Sequence, residues 1–403
     1  MQNSNYNFYG LGIAPRLIET LSVLKFKTAT PIQHQAIPLA LEGKDLIGIA
    51  QTGTGKTLAF GIPTMQRLAQ NNKGKALILV PTRELAFQVE ESILKVAHAV
   101  GLKTVSLVGG DSIHKQIMAL ARAPRVLIAT PGRLIDLMEQ RKVHLRDVHI
   151  LVLDEADRML DMGFAPQIDR ILQSVPAERQ TLLFSATMPG SIVKIAAQYM
   201  KFPVQVEVAP SGTAASGVTH ELFIVKQDRK KELLGKVLAQ YRGSVLLFCR
   251  TKIGASRIVR SIRQMNHSAA EIHSDRSLAQ RTEALAGFKS GKYRVMVATD
   301  IAARGVDVVG IELVINYDLP DEAENYIHRI GRTGRAGSGG HAISFASPDE
   351  RKDILNIERL MQTTLPISHH PDITSENFEK PQRVFSFNRF SRHSRRGSRG
   401  NRR

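Results

Sequence analysis

The residues whose types and spacing are best suited to chemistry form a glycine- and threonine-rich loop that ends in a lysine and a threonine. The loop consists of Gln51, Thr52, Gly53, Thr54, Gly55, Lys56 and Thr57. It follows the apolar residues 47–50 and precedes an apolar stretch, so we expect it to join a strand to a helix. Glycines let backbone N–H groups surround phosphate oxygens, and the helix N-terminus adds a favourable dipole. The loop is therefore predicted to bind the phosphates of a nucleotide.

Two side chains of this loop have specific predicted roles. Lys56 is expected to reach the β- and γ-phosphates, and the Thr57 hydroxyl is expected to bind Mg²⁺. Ala50 stands where the general pattern has glycine, so the loop is a variant in its first residue. The alternative is an ordinary turn without a ligand, which the strand–loop–helix context argues against.

Two adjacent carboxylates, Asp154 and Glu155, follow the apolar run Ile150 to Leu153 about a hundred residues later. An aspartate at the end of a buried strand can hold the Mg²⁺ of a bound nucleotide. Glu155 is then placed to orient and deprotonate an attacking water. A solvated turn would also carry two carboxylates, but phosphoryl transfer needs such a second element beside a phosphate loop.

The elements that must position these residues are predicted from an alternation of short apolar runs and longer amphipathic stretches. The runs are typical of buried parallel strands and the stretches of helices, so the chain is expected to be an α/β protein built from βαβ units. Residues 209–217 are uncharged and aperiodic, which predicts a flexible linker. Residues 128–130 resemble residues 297–299, and residues 182–184 resemble 246–248. These sequence echoes, in which a segment of the first half resembles one of the second half, would arise if the chain contained two similar domains. They would also arise by chance, because apolar strands are built from few residue types.

Composition limits the class of protein. The chain has 403 residues, enough for two domains, and a formal net charge of +18, which favours a polyanionic partner. No apolar run approaches the length of a membrane-spanning helix, and the N-terminus is polar and uncharged, so no membrane association and no signal peptide are expected. A single cysteine, Cys249, excludes an internal disulfide, and the histidines show no ligand spacing. A cytoplasmic setting fits these features best.

The C-terminal segment differs from the rest of the chain. Residues 383–403 contain eight arginines and no Asp or Glu, and Phe385, Phe387 and Phe390 lie among the arginines. Such a segment cannot bury a core, so residues 368–403 are predicted to be disordered. We expect it to tether RNA through counterion release and base stacking, with a merely solubilising tail as the alternative.

With Asp154-Glu155-Ala156-Asp157, the sequence resembles the DEAD-box RNA helicases over residues 8–365. The resemblance implies two tandem RecA-like domains at 1–207 and 220–367, joined by a linker at 208–219. It implies that Phe26 stacks on adenine and that Gln33 reads its edge, with Lys25 where the family usually has glycine. It implies further nucleotide contacts from Gly305 and Asp307, and arginine fingers at Arg332 and Arg335.

The same resemblance assigns residues to RNA and to coupling. Implied RNA contacts in the first domain are Pro81, Thr82, Arg83, Gly109, Gly110, Thr130, Pro131, Gly132 and Arg133. Those in the second domain are Arg250, Thr251 and Thr299. The residues implied to link hydrolysis to strand separation are Ser185, Thr187, Asp157, His328 and Arg329. Such contacts reach sugar and phosphate rather than base edges, so sequence-independent binding is expected.

The implied activity is RNA-dependent ATP hydrolysis coupled to local, non-processive unwinding, with ATP and Mg²⁺ as cofactors and a monomeric core. Partners in ribonucleoprotein or RNA-decay complexes are a further possibility. Three alternatives stay open: an ATPase that clamps RNA or remodels protein–RNA complexes without unwinding, a DNA-directed helicase, and an ATP-independent RNA chaperone. The intact Lys56, Glu155 and Arg332 argue against the chaperone, which has no use for them.

Overall fold

The computed structural model describes residues 6–51, 53–71, 73–208, 218–300, 308, 310–334 and 339–378. These residues form two α/β domains, each with one parallel sheet between layers of helices. The predicted fold class is therefore confirmed. Thr52, Gly305, Asp307, Arg335 and residues 379–403 of the basic tail lie outside the described part of the chain.

The first domain contains a seven-stranded sheet. Its strands are β1 (Leu46–Ile49), β2 (Lys75–Leu79), β3 (Thr104–Leu107), β4 (Val126–Ala129), β5 (Val148–Leu153), β6 (Gln180–Ser185) and β7 (Val204–Glu207). Its helices are α1 (Pro15–Val23), α2 (Pro31–Leu41), α3 (Lys56–Gln70), α4 (Arg83–Ala99), α5 (Ile113–Leu120), α6 (Pro131–Glu139), α7 (Ala156–Asp161), α8 (Ala165–Ser174) and α9 (Gly190–Tyr199).

The second domain contains a six-stranded sheet. Its strands are β8 (Val218–Ile224), β9 (Val245–Phe248), β10 (Ala269–Ile272), β11 (Val295–Ala298), β12 (Leu313–Asn316) and β13 (Gly340–Ala346). Its described helices are α10 (Lys230–Gln240), α11 (Lys252–Gln264), α12 (Leu278–Lys289), α13 (Ala323–Ile330) and α14 (Arg351–Met361).

The central strands of both sheets are buried on their two faces. In β2, Ala76 and Ile78 pack into one hydrophobic layer, whereas Leu77 and Leu79 pack into the opposite layer. Helices therefore cover both faces, which explains why these strands are continuous apolar runs in the sequence. Because all strands are parallel, their carboxyl ends meet at one edge of each sheet, where the polar motif residues follow.

The two sheets have the same topology. The strand order is β3-β4-β2-β5-β6-β1-β7 in the first domain and β10-β11-β9-β12-β13-β8 in the second. Each strand from β8 to β13 thus has a counterpart from β1 to β6. The first sequence echo is a true correspondence, because residues 128–130 end β4 and residues 297–299 end its counterpart β11. The second echo is wrong as a correspondence, because it pairs β6 with β9, which occupy different places in the sheets.

The predicted boundaries require two corrections. β8 begins at Val218, so the last two residues assigned to the linker belong to the second domain. The disordered tail does not begin at residue 368, because the chain continues along β8: the Ser368 N–H donates to the Leu222 carbonyl at 2.8 Å and the Glu376 N–H to the Ile224 carbonyl at 2.9 Å. Ile373 is buried in the core of this domain. A single apolar residue such as Ile373, outside any periodic pattern, does not indicate in the sequence that this segment is ordered.

The helices that the structure describes include none with the length and apolar character needed to cross a lipid bilayer.

Candidate active site and nucleic-acid interface

The phosphate loop joins β1 to α3, as predicted. Gly53 and Gly55 have φ angles of 88° and 92°, a region that favours glycine, so the loop can turn its backbone inward. Lys56 is the first residue of α3 and is buried, and its Nζ donates to the carbonyl of Ala50 at 2.9 Å. The Ala50 carbonyl thus holds the ammonium at the mouth of the loop.

Gln33 connects the loop before α2 to the phosphate loop. Its Oε1 accepts the Thr30 N–H at 2.9 Å, and its Nε2 donates to the Gly55 carbonyl at 3.0 Å. A Cβ atom at position 55 would lie 2.4 Å from that Nε2, so only glycine allows this approach. The glutamine expected to read the base therefore also fixes the phosphate loop.

Phe26 lies just after α1 and is 44% exposed, which leaves its ring face available for stacking. The helix ends in a Schellman arrangement: the Lys25 N–H donates to the Ser22 carbonyl and the Phe26 N–H to the Leu21 carbonyl, both at 2.9 Å. Lys25 occupies the left-handed position of this motif, with φ 62°. The lysine therefore adopts the backbone conformation that glycine would adopt more easily.

Asp154 and Glu155 are both buried directly after β5. Burial raises the pKa of Asp154 to about 6, although the nearby Lys56 opposes this shift. Burial also acts to raise the pKa of Glu155, but Arg158, Lys56 and Arg332 outweigh it and lower the pKa to about 2. The two adjacent carboxylates thus have opposite properties, since Glu155 is neutralised by arginines and Asp154 lacks a full counter-charge.

This imbalance at Asp154 suits a divalent cation. Asp154 and the Thr57 hydroxyl offer hard oxygen ligands beside the phosphate loop, the kind that Mg²⁺ prefers. Among the described residues, no three His, Cys, Asp or Glu side chains are grouped closely enough to hold a metal ion by themselves. The site therefore fits a Mg²⁺ that arrives with nucleotide phosphates and keeps some of its water, rather than one held by a protein cage.

Glu155 has a strained backbone, with φ 52° in the left-handed region. Its carboxylate forms a short ion pair with Arg158, three residues later on α7. Arg332, two residues after α13 in the second domain, is buried and close enough to contribute to the lowered pKa of Glu155. Residues of both domains therefore meet at this carboxylate. Strain of this kind tends to occur where function fixes a side chain.

Three of the five predicted coupling residues lie together. Asp157 Oδ2 accepts the Thr187 N–H and the Thr187 hydroxyl, both at 2.9 Å, and the Ala186 N–H at 3.1 Å. The Nε2 of His328, in the second domain, lies 3.9 Å from the same oxygen. Asp157 thus links the segment after β6 to the opposite domain.

The other two coupling residues have different surroundings. Ser185 is buried at the end of β6, and its carbonyl accepts the Ala50 N–H at 3.0 Å at the start of the phosphate loop. Arg329 lies inside the second domain, where its guanidinium binds both carboxylate oxygens of Asp300 at 2.6 and 2.7 Å.

Seven of the nine RNA contacts expected in the first domain line one cavity of about 340 Å³. Its lining includes Pro81, Thr82, Arg83, Gly109, Thr130, Gly132 and Arg133. Gly110 has φ 72° and lies against Arg83: a Cβ there would clash with the guanidinium. Pro131 is the first residue of α6 and is buried. Arg133 donates to the Asp111 carbonyl at 3.2 Å, which orients it.

A second cavity of about 380 Å³ contains Arg250 and Thr299 from the second domain. Met162 lines both cavities, so they adjoin along the cleft between the domains. Thr251 caps α11, its hydroxyl accepting the Gly254 N–H at 3.0 Å. The predicted RNA residues that line the two cavities thus lie along one groove.

The predicted site missed several residues. Arg158 was not assigned, although its spacing of three from Glu155 on a helix is a recognisable pairing signal. Arg281 forms an ion pair with Glu84 between the two domains and lines the first cavity with Ser274, Met162 and Phe164. No local pattern links Glu84 to Arg281, because about two hundred residues separate them and only the fold brings them together.

Family models match both domains. The DEAD/DEAH box helicase model matches residues 30–195, and the helicase conserved C-terminal domain matches residues 229–337. These ranges contain the phosphate loop, the Asp154–Asp157 motif and Arg332.

Curated proteins with similar sequences extend over most of the chain. The DEAD-box ATP-dependent RNA helicase CshA of Geobacillus kaustophilus is 41% identical over 94% of this chain and 81% of the relative. The ATP-dependent rRNA helicase RRP3 of Debaryomyces hansenii is 41% identical over 91% of this chain and 77% of that protein. The DEAD-box ATP-dependent RNA helicase RhpA of Helicobacter pylori is 37% identical over 93% and 76%.

Solved structures match the arrangement of the two domains as well as their fold. Saccharomyces cerevisiae Dbp5 bound to RNA and ADP BeF3 gives a TM-score of 0.81 at 30% identity, covering 89% of this chain and 95% of that one. Mss116 bound to ssRNA and UDP-BeF gives 0.83 at 28% identity, covering 89% and 78%. A DEAD box protein of Methanococcus jannaschii gives only 0.53 at 36% identity, covering 90% and 99%. The two structures whose titles name bound RNA thus give higher TM-scores than the Methanococcus jannaschii protein, although their sequence identities to this chain are lower.

Proposed function

The chain belongs to the DEAD-box family of ATP-dependent RNA helicases, and we propose that closure of its two domains on ATP and RNA completes its hydrolytic site and locally separates RNA strands. One observation carries this proposal: the second domain places the buried Arg332 near the buried Glu155 of the first domain, close enough to help lower the pKa of that carboxyl. An arginine supplied from a second domain makes hydrolysis depend on closure, and RNA that spans both domains favours closure.

ATP is held mainly by the first domain in this proposal. Phe26 stacks on the adenine and Gln33 reads its edge, while the backbone of residues 51–55 and the Lys56 ammonium bind the phosphates. Thr57 and Asp154 hold Mg²⁺, which neutralises phosphate charge when bound. Three assigned residues, Thr52, Gly305 and Asp307, contribute to the same nucleotide site, although they lie outside the described residues.

Glu155 orients the attacking water. A carboxylate whose pKa is about 2 is ionised at neutral pH but accepts a proton weakly. That suits phosphoryl transfer, whose loose transition state needs a positioned water more than a strong base. Arg332, together with Arg335 outside the described residues, stabilises the charge on the transferring phosphoryl group. Arg158 holds the Glu155 carboxylate until the nucleotide arrives.

The remaining assignments connect hydrolysis to RNA. Asp157, Ser185, Thr187, His328 and Arg329 transmit the state of the nucleotide site to the second domain. The groove between the domains binds the RNA backbone without reading sequence, through hydroxyls, backbone N–H groups and guanidinium forks. We propose that the arginine-rich residues 383–403 tether RNA nearby, that the core is monomeric and cytoplasmic, and that ribonucleoprotein or RNA-decay complexes supply its partners.

The Glu155→Gln substitution tests the hydrolytic role. The amide keeps the shape of the side chain but loses the negative charge that orients water, so ATP should still bind while steady-state hydrolysis falls by roughly 10²- to 10⁴-fold. Glu91→Gln on the exposed face of α4 is the matched control and should behave as wild type. Unchanged hydrolysis in Glu155→Gln would refute the assignment.

RNA stimulation and strand displacement test the coupling. Hydrolysis by the wild-type chain should rise when single-stranded RNA is added, and a short labelled RNA duplex should be displaced in the presence of ATP. Stimulation without displacement would favour an ATPase that clamps or remodels complexes. Equal displacement of DNA and RNA duplexes would favour the DNA-directed alternative.

A further inference from the structure

A buried lysine at the start of α10 anchors the second domain. Lys230 is 1% exposed, and its Nζ donates to the Tyr317 carbonyl at 2.9 Å and lies 3.4 Å from Asp318 Oδ1. A lysine this buried is rare unless it is paired. Tyr317 and Asp318 follow β12, so this pair ties the N-terminus of α10 to a central strand.

Asp318 extends the connection in two further directions. Its Oδ2 accepts the Arg250 N–H at 3.0 Å, just after β9. Its backbone carbonyl accepts a hydrogen bond from Arg329 Nη1 at 2.6 Å. The same Arg329 binds both carboxylate oxygens of Asp300, the neighbour of Thr299 at the end of β11. A continuous polar network therefore runs from Lys230 to the ends of β9 and β11.

This network occupies the position of the nucleotide site in the other domain. The Asp154 N–H donates to the carbonyl at the end of β2, and the Tyr317 N–H donates to the carbonyl at the end of its counterpart β9. By this register, Tyr317 and Asp318 stand where Asp154 and Glu155 stand. Lys230, like Lys56, is the first residue of the helix after the strand.

The second position cannot bind phosphate as the first does. Residues 225–229, between β8 and Lys230, contain no glycine and include Asp228. They cannot curl their N–H groups around an anion as Gly53 and Gly55 allow. The Lys230 ammonium already has Asp318 as its counter-charge and donates to the Tyr317 carbonyl, so its charge is compensated within the protein and would not attract a phosphate.

We propose that Lys230 and Asp318 are positioning residues for RNA binding: the pair fixes the strand ends that carry Arg250 and Thr299. The proposal rests on the proposed function, because it takes these two residues as RNA contacts. A strand end that is held before RNA arrives loses less conformational freedom on binding, and this favours affinity.

Removing the lysine should act on RNA rather than on ATP. In Lys230→Met, Asp318 loses its counter-charge and the contact that ties it to α10. Its carboxylate is then held in place only weakly against the Arg250 N–H, so the ends of β9 and β11 become less ordered. The RNA concentration that half-saturates ATPase activity should rise by roughly tenfold, because one or two preordered contacts are lost. Turnover at saturating RNA and the KM for ATP should change less than twofold, since Lys230 is not among the residues proposed to bind ATP or to act on its phosphates.

The experiment uses the full chain, a short single-stranded oligouridylate and ATP. Lys236→Met is the matched control, because Lys236 lies on the same helix and pairs with Asp372 at 2.6 Å near the surface. It should leave the half-saturating RNA concentration unchanged. Lys230→Met combined with Asp318→Asn should recover part of the affinity, because the unpaired negative charge is removed with the lysine.

The outcomes separate the possible failures. Equal half-saturation for Lys230→Met and Lys236→Met would overturn the positioning role, while RNA stimulation of the wild type would leave the proposed function intact. If Lys230→Met does not fold, Asp318→Asn alone is measured: a normal half-saturation then also overturns the proposal, and a rise of several-fold with normal turnover supports it. Absence of RNA stimulation in the wild type would instead contradict the proposed function.

Discussion

The nucleotide site of the first domain and the Lys230 network of the second are built on the same strands and connections, yet only the first is open to a ligand. In the first, the glycines at 53 and 55 leave room beside the Lys56 ammonium, and Asp154 is buried without a full counter-charge. In the second, Lys230 and Asp318 are close enough to compensate each other. The comparison shows how two domains of the same topology come to have different roles. The site with an incompletely compensated charge is suited to bind a ligand, whereas the site with compensated charges stabilises the domain.

The largest expected effect on ATP turnover comes from replacing Arg332. Although Arg332 belongs to the second domain, Arg332→Ala should lower turnover by roughly 10³- to 10⁵-fold, because it removes charge stabilisation in the transition state. ATP affinity should change little. Arg359→Ala, on the exposed face of α14, is the control. Single-turnover hydrolysis with saturating RNA measures the effect. A loss below tenfold would mean that the first domain is a complete site by itself.

The reactivity of the Cys249 thiol tests whether the Lys230 network is closed to solvent and ligands. Cys249 stands where Val80 stands in the first domain, and burial with the neighbouring Asp318 raises the pKa of its thiol to about 12. Since the thiolate is the reactive form, alkylation at pH 8 should be slower than for a free cysteine by at least about 10³-fold. The rate is measured by mass spectrometry with iodoacetamide. Denaturant should restore fast labelling, whereas rapid labelling of the folded chain would show that the second site opens.

The loop that carries Phe26 has no counterpart among the described residues of the second domain, which begin with β8 at Val218. Lys25 adopts φ 62° there, so Lys25→Gly should stabilise the first domain by about 0.5–1 kcal/mol. Thermal unfolding monitored by circular dichroism measures this change. Lys27→Gly, nearby in the same loop, lacks the left-handed backbone and should not stabilise. A lower melting temperature for Lys25→Gly would show that the lysine side chain contributes more than its backbone strain costs.

How much the sequence could predict depended on whether a feature is local. The central strands were predictable because residues such as Ile150 to Leu153 are buried on both faces. The four edge strands, β3, β7, β8 and β10, are only partly buried, so they are not continuous apolar runs in the sequence. Their partly exposed faces admit polar residues, such as Thr104 and Ser106 in β3, which hydrogen-bond to Glu90 on α4.

The candidate site follows the same division. The phosphate loop and Asp154-Glu155 were predictable because each is a short motif whose chemistry depends on adjacent residues. Glu84 with Arg281, and Lys230 with Asp318, could not be predicted because their partners are far apart in sequence. The structural role of Arg329 could not be predicted either. The sequence alone does not distinguish an arginine that binds Asp300 inside the domain from one that faces a ligand.

The segment that follows α14 along β8 has a mechanical consequence. It pairs in parallel with β8 at Leu222 and continues to Ile224, so the first strand of the second domain and its last described residues lie side by side. If Val218 and residue 378 are pulled apart, these hydrogen bonds and those between β8 and β13 are loaded together in shear instead of breaking one by one. The second domain is joined to the first at its N-terminal end and is proposed to separate RNA strands. Its first strand and its last described residues are therefore hydrogen-bonded to each other at the place where a pulling force would act.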